Sequence, residues 1–207
     1  MKQINLLLLI LSITISSVIA QTTPVSSYAF SQYEGSYSEI SGGTVHGDEN
    51  NDDQSFNAIN LGFTFNYNGV NYTQISIQSN GYIAMGSSVG QYTNPISNSS
   101  GTNNVICPLG SNIQAQSGAE LMSKTEGSAP NRVFTVQWKN YKYINSDNYL
   151  NFQVKLYESS NKIEFVYGDF SFTTPSDFQC QIGLRGNSNS DFNNRDNSFS
   201  NGLYYTY

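Results

Sequence analysis

An acidic segment near residue 50 holds the densest group of side chains that could bind a metal ion. Four carboxylates and two asparagines stand within six consecutive residues, and the carboxylates are Asp48, Glu49, Asp52 and Asp53. Calcium takes about six to eight oxygen ligands from carboxylates, amide carbonyls and backbone, and the segment offers enough of them for a calcium site. The spacing differs from that of an EF-hand, whose ligands alternate around a glycine. We therefore prefer a solvated acidic loop without metal, and calcium binding is the alternative.

Few residues offer catalytic chemistry. His46 is the only histidine, so a serine or cysteine hydrolase would depend on it, and its place beside the acidic segment equally fits a solvated loop. A glycoside hydrolase needs two carboxyl groups facing one cleft, for which Glu158, Glu164 and Asp169 are candidates. The strand pattern brings none of them together. We therefore predict a protein without enzymatic activity and without a cofactor other than calcium, with glycoside hydrolysis as the alternative.

Tyrosine is frequent, with 15 in the 207 residues. Four tyrosines flank the clearest strand patterns, namely Tyr141, Tyr143, Tyr149 and Tyr157. Aromatic rings on a flat sheet face with asparagine and glutamine between them suit stacking on sugars combined with hydrogen bonding. These four residues are our predicted ligand-binding set. The alternative is that the rings form ordinary cross-strand pairs that stabilise the sheet.

The chain has two cysteines, Cys107 and Cys180. In an exported protein an even number of cysteines favours a disulfide, and closing a loop of this length would stabilise the fold by about 4 kcal/mol in the chain-entropy model. Both cysteines lie in apolar stretches, so two unpaired buried thiols are the alternative. We predict the disulfide.

Residues 1–20 have the pattern of a secretory signal peptide. Lys2 precedes a mostly apolar run, and the run ends in Val18-Ile19-Ala20, which fits a cleavage site. We predict a secreted or cell-surface protein with a single domain over residues 21–207 and no membrane insertion after cleavage. Charged residues make up only 12% of the chain and the net charge is −6, so no basic surface points to nucleic acid.

The stretch Arg132–Gly168 contains three successive strand patterns. Apolar and polar residues alternate in each, and the apolar sets are Phe134, Val136 and Trp138, then Leu150, Phe152, Val154 and Leu156, then Ile163, Phe165 and Tyr167. A period of two places each apolar set on one face of a strand, which predicts an antiparallel meander with one dry and one wet face. Many further short strands separated by turn residues predict an all-β antiparallel sandwich, jelly-roll-like, without a substantial helix.

Two turn sequences predict hairpins. After Ile77, a three-residue loop ending at Gly81 would pair Ile77 with Ile83 and keep the apolar residues on one face, whereas a two-residue loop would mix the faces. At Asn68-Gly69 the same reasoning predicts a loop of odd length that pairs Phe63 with Ile75.

Several sequence blocks occur in a familiar order. They are GFTFNYNGVNYTQISIQSNGYIAMG, NVICPL, APNRVFTVQWKNYKY, LNFQVKLYESSNKIEFVYG and QIGLRG. Together they resemble a β-rich module of secreted and surface proteins of Bacteroidetes-type bacteria, and more distantly the extracellular NIDO domain of nidogen and mucin-like proteins. Cys107 departs from the pattern, because an alanine is expected before the proline. The resemblance implies an adhesive or structural extracellular module whose partner is a protein or a glycan, and a carbohydrate-binding module is the alternative.

Overall fold

The computed structural model describes residues 23–86, 88–171 and 180–195, together with the backbone of 203–206. The predicted signal peptide over residues 1–20 lies outside the described residues. Almost all regular structure is β-strand, and the described part contains just one short 3₁₀ turn at Val25–Ser27. In chain order the strands are β1 (Ser31–Glu34), β2 (Thr44–Gly47), β3 (Ser55–Tyr67), β4 (Val70–Gln78), β5 (Tyr82–Met85), β6 (Val105–Gly110), β7 (Ile113–Glu126), β8 (Val133–Tyr143), β9 (Leu150–Tyr157), β10 (Ile163–Tyr167), β11 (Gln181–Arg185), β12 (Phe192–Arg195) and β13 (Leu203–Thr206).

The strands form two antiparallel sheets. One sheet has seven strands in the order β1-β13-β10-β9-β8-β7-β2, and the other has six in the order β12-β11-β6-β5-β4-β3. The runs β7 to β10 and β3 to β6 are meanders, so neighbours in sequence are neighbours in the sheet. The predicted all-β antiparallel sandwich is confirmed.

The core between the sheets is made by the apolar sets that alternate along the meander. Trp138 lies opposite Phe152, and Phe152 lies opposite Tyr167 on the next strand. All three side chains are fully buried, and the rings of Trp138 and Phe152 stack with centroids 5.0 Å apart and an interplanar angle of 12°. The predicted dry face of the meander is therefore the centre of the sandwich.

The hairpin between β4 and β5 has the predicted register. Ile77 pairs with Ile83 and Ile75 with Met85, which leaves a three-residue loop that ends at Gly81. Gly81 has φ +86°, and a Cβ built there would lie 2.0 Å from the backbone oxygen of Leu109. Glycine is needed here both for the left-handed backbone and for the close approach of another strand.

The prediction for the hairpin at Asn68-Gly69 is wrong. Tyr67 pairs with Val70, so the loop has two residues, and both of them have positive φ angles. The odd-length loop followed from assuming an uninterrupted ladder between β3 and β4. The register instead shifts twice along β3, and Ile75 pairs with Ile59 rather than with Phe63. Bulges on β3 restore the apolar residues to the core after an even-length turn.

The middle of the outer face of the seven-stranded sheet is covered, although the alternation predicts a wet face. Strands β1 and β2 occupy the two opposite edges of this sheet, so the chain between them must cross it. This crossing segment, with β1, is the N-terminal strap (residues 31–41). Ile40 N donates to Gln137 Oε1 over 2.9 Å, and Gln153 Nε2 donates to Ser38 O over 2.8 Å. Gln137 and Gln153 are both fully buried as a result.

The outer face of the six-stranded sheet is covered by a polar loop over residues 88–104. The loop buries Val89 and Ile96 against this face, and Arg185 on β11 holds it in place. The Arg185 side chain is only 2% exposed, and it donates to Asn98 O over 2.5 Å and to Gly101 O over 3.2 Å. Among the described residues, carbonyl groups rather than a carboxylate surround the guanidinium group, and these hydrogen bonds bind the loop backbone to the sheet.

We expect Gly81→Ala to destabilise the protein strongly. The new methyl group would meet the Leu109 carbonyl in a left-handed backbone conformation, and the two effects together should lower the free energy of unfolding by about 2–4 kcal/mol. Gly42→Ala is the matched control, because Gly42 also has a positive φ (+69°) but nothing within 4 Å of a Cβ. It should lose only about 1 kcal/mol. Urea unfolding followed by the fluorescence of Trp138 measures both values, and equal losses would contradict the steric argument.

Candidate functional site

The four carboxylates of the acidic segment have separate partners. Their hydrogen bonds run from Asn50 N to Asp48 Oδ1 (3.0 Å), from Gly118 N to Glu49 Oε2 (3.2 Å) and from Asn80 Nδ2 to Asp53 Oδ1 (2.9 Å). Asp52 forms a β-bridge with Gln114, and burial together with the neighbouring Asp53 raises the pKa of its carboxyl group. Across the described residues, no group of three or more His, Cys, Asp or Glu side chains is placed to hold a metal ion. Calcium binding stays a prediction that rests only on the clustering of acidic residues in the sequence.

The four predicted tyrosines do not share one exposed face. Tyr141 is fully buried and its hydroxyl donates to Asn51 Oδ1 over 2.7 Å, so it belongs to the core. Tyr143 is half-buried and packs against the same core. Tyr157 donates to Glu164 Oε2 over 2.7 Å, and Lys162 Nζ lies 3.9 Å from the centre of its ring. Tyr149, at 38% exposed, is the one of the four with a well-exposed ring.

The predicted disulfide is wrong, because Cys107 and Cys180 are both free. Alternation separates the two side chains. Cys107 belongs to the apolar cluster under the 88–104 loop, whereas Cys180 belongs to the core between the sheets. The Cys107 thiol donates to Gln181 O over 3.0 Å. The two residues therefore serve as small buried apolar groups.

The carboxylates considered for glycoside hydrolysis are held in separate structural interactions. Glu158 forms an ion pair with Arg132 (2.5 Å), and hydrogen bonds from this arginine hold the pKa of the Glu158 carboxyl below its ordinary value. Glu164 is buried beneath the strap and accepts hydrogen bonds from Tyr33, Tyr157 and Lys162. Burial alone raises the pKa of Glu164, but these hydrogen bonds outweigh it, and the pKa lies below its ordinary value.

His46 and Asp169 also lie apart from these groups. His46 Nε2 is 2.8 Å from Ser123 Oγ, its ring packs against Phe56 at 5.7 Å, and burial lowers its pKa. Asp169 is exposed, and its backbone oxygen accepts a hydrogen bond from Asn151 Nδ2 over 2.9 Å. The structure does not gather the predicted catalytic candidates into one cleft.

The structure does bring together a row of amide side chains beside Tyr149, on the part of the outer face that the strap leaves open. We call Gln116, Asn140 and Asn151 the amide strip. Gln116 Nε2 donates to Asn140 Oδ1 over 3.1 Å, and Asn140 N donates to Asn151 Oδ1 over 2.9 Å. Tyr149 and Asn151 are two residues apart on an extended chain, so their side chains point to the same side.

Sequence reasoning missed the amide strip for two local reasons. Gln116 lies in β7, whereas the polar run before Gly118 predicts a loop. Asn140 lies at a bulge with φ +53°, where the register between β8 and β9 shifts. The alternation of Ile113 and Ala115 with Gln114 and Gln116 was the signal that could have revealed the start of β7.

We expect both thiols to resist alkylation in the folded protein and both to react in the unfolded protein without reductant. Burial raises the pKa of the Cys107 thiol well above its ordinary value and that of Cys180 to about 12, and the thiolate is the reactive form. Intact mass after iodoacetamide treatment, with and without guanidinium, measures the adducts. An unfolded chain that takes up label only after reduction would contradict the free thiols.

We expect Glu164→Gln to reduce the acid sensitivity of the protein. Because the folded-state pKa of Glu164 lies below its ordinary value of 4.5, its contribution is fully present above that pH and is lost as the pH falls through the folded-state pKa. The variant should be less stable by about 1–3 kcal/mol near pH 7, and the difference should shrink as the pH falls below 4.5. Urea titrations across this range measure it, with the exposed Glu34→Gln as control. Parallel pH curves for Glu164→Gln and the parent would contradict the assignment.

No helix in the described part of the chain is long and apolar enough to cross a membrane. Searches of curated proteins and of solved structures gave no match. A family model described as NIDO related matches residues 27–204, a range that begins before β1 and ends within β13, and so covers both sheets. NIDO domains are extracellular. The resemblance to the NIDO domain is confirmed, and the chain belongs to the NIDO-related family.

Proposed function

We propose that this chain is a non-enzymatic, secreted or cell-surface recognition module of the adhesion or matrix type, and that it binds a glycan through the amide strip and Tyr149. Family membership supports an extracellular role. The signal-peptide pattern of residues 1–20 supports export. The single observation that carries the choice of ligand is the exposed Tyr149 ring next to a row of half-buried amides beside the strap.

The amide strip has hydrogen-bonding capacity left for a ligand. A primary amide offers two N–H groups and an oxygen with two lone pairs, and Asn140 Nδ2 uses one N–H on Ser117 O (2.7 Å). Asn151 Nδ2 uses one on Asp169 O (2.9 Å). The remaining groups can meet sugar hydroxyls, which both donate and accept. Because the amides are already held by each other and by backbone oxygens, little side-chain entropy is lost when a ligand binds.

The position of the strip also favours a glycan over a protein partner. The strap and the 88–104 loop cover parts of the two outer faces, so the strip is a small surface beside the strap rather than part of a broad flat face. The strip is polar, with a single aromatic ring. A protein partner is the alternative. The chain would then still be an extracellular adhesion module, but one that binds a protein instead of a glycan.

We expect the purified chain to bind a subset of neutral glycans on an array, and Tyr149→Ala to weaken the best of these interactions by about tenfold, which is about 1.4 kcal/mol. Stacking of the ring on a sugar face would be lost, while the fold should be unaffected because the ring is exposed. Phe192→Ala is the matched control, since Phe192 is also exposed, at 47%, and lies on β12 in the other sheet.

The outcome separates the two kinds of ligand. Equal binding by Tyr149→Ala and the parent would exclude the strip as the glycan site. Binding to no glycan would exclude glycan recognition and leave a protein partner as the ligand of this module.

A further inference from the structure

A cavity opens on the opposite side of the strap from the amide strip. Its volume is about 400 Å³, and it lies between strap residues 38–41 and the ends of β7, β8 and β9. The polar and aromatic side chains that line it include Ser38, Ser41, Asn131, Thr135, Lys155 and Tyr157. The volume falls within the range of about 300–1,000 Å³ that is typical of small-molecule sites.

Strand register places Lys155 at the centre of a polar row under this cavity. Lys155 lies opposite Thr135 on β8 and opposite Glu164 on β10. Its side chain points outward, because Val154 and Leu156 on either side of it are fully buried in the core. The ammonium group is half-buried, and it makes no hydrogen bond or ion pair with any residue that the structure describes.

The other charges around the cavity are already paired. Lys124 forms an ion pair with Glu126 and Glu39 forms one with Lys139, each at 2.7 Å. Glu164 is occupied by Lys162 at 3.0 Å and by two tyrosine hydroxyls. Among the charged residues that line the cavity, Lys155 thus lacks an ion-pair partner in the described part of the chain. Its positive charge can therefore interact with a ligand.

Burial disfavours the charged form of Lys155. Loss of solvent lowers the pKa of its ammonium group, and the neighbouring Glu164 offsets this only in part. A bound anion would replace the missing water and stabilise the ammonium. A carboxylate bound in the cavity would therefore interact favourably with the ammonium group of Lys155.

We propose that this cavity binds a uronic acid unit of an acidic polysaccharide, with its carboxylate on Lys155. The hydroxyls of Ser38, Ser41 and Thr135 and the amide of Asn131 suit the ring hydroxyls of a sugar. A carboxylate on an acidic peptide side chain has no hydroxyls to meet these groups. This site is independent of the amide strip, since the strap lies between the two surfaces and no lining residue is shared.

The test uses D-glucuronate, D-glucose and glutarate, with binding to the purified chain followed by NMR titration. We expect glucuronate to bind in the millimolar range, and glucose and glutarate to bind at least tenfold more weakly. Lys155→Met should weaken glucuronate binding at least tenfold. The matched control Lys142→Met, a lysine on β8 outside the cavity, should bind glucuronate as the parent does. Tyr149→Ala should also leave glucuronate binding unchanged, which separates this site from the proposed glycan surface.

A second variant covers the case in which Lys155→Met fails to fold, as judged by the fluorescence of Trp138. Asn131→Asp adds a negative charge at an exposed turn that lines the cavity, and it should weaken glucuronate binding severalfold. Binding of glucuronate that is equal in the parent and in both folded variants would overturn the site. Absence of glucuronate binding by the parent would overturn the ligand, and equal affinity for glutarate would overturn its assignment as a sugar acid.

Discussion

The packing of the two sheets along the row that contains Trp138, Phe152 and Tyr167 is the constraint on which the rest of the structure depends. These large side chains are fully buried, and the hydroxyl of Tyr167 donates to Pro108 O on β6 over 2.6 Å. The Tyr167 hydroxyl therefore links the seven-stranded sheet to the six-stranded sheet across the core. Once these residues face inward, the period of two along each strand decides which residues must face outward.

The outward residues would be solvated in an open sandwich, but here they lie largely beneath the protein's own chain. A buried polar group requires a hydrogen-bond partner, and the covering segments supply backbone atoms for this purpose. Gln137 and Gln153 bind the strap through Ile40 N and Ser38 O. Arg185 binds the 88–104 loop through several carbonyls. On both outer faces, buried polar side chains of the sheet thus form hydrogen bonds with the backbone of the segment that covers them.

The covering segments also decide where a ligand can bind. The strap divides the outer face of the seven-stranded sheet, with the amide strip and Tyr149 on one side and the cavity at Lys155 on the other. Alternation along β9 places Asn151 on the first surface and Lys155 on the second, with Gln153 beneath the strap between them. Tyr141 shows why a tyrosine near a strand end does not by itself indicate a ligand-binding surface. Its ring lies in the core, and its hydroxyl donates a hydrogen bond to the buried Asn51.

The sequence by itself determined the all-β class, the inward apolar sets of the meander, the three-residue loop before Tyr82 and the membership suggested by the order of the blocks. The first three features depend on local alternation and turn chemistry, which operate over a few residues, whereas the family membership depends on the order of the blocks along the chain. Only the tertiary structure decided the coverage of the outer faces, the free state of Cys107 and Cys180, the bulged register of β3 and the grouping of Gln116, Asn140 and Asn151. Each of these depends on where distant segments meet, since β1 and β2 lie at opposite edges of one sheet and the chain between them has to cross it.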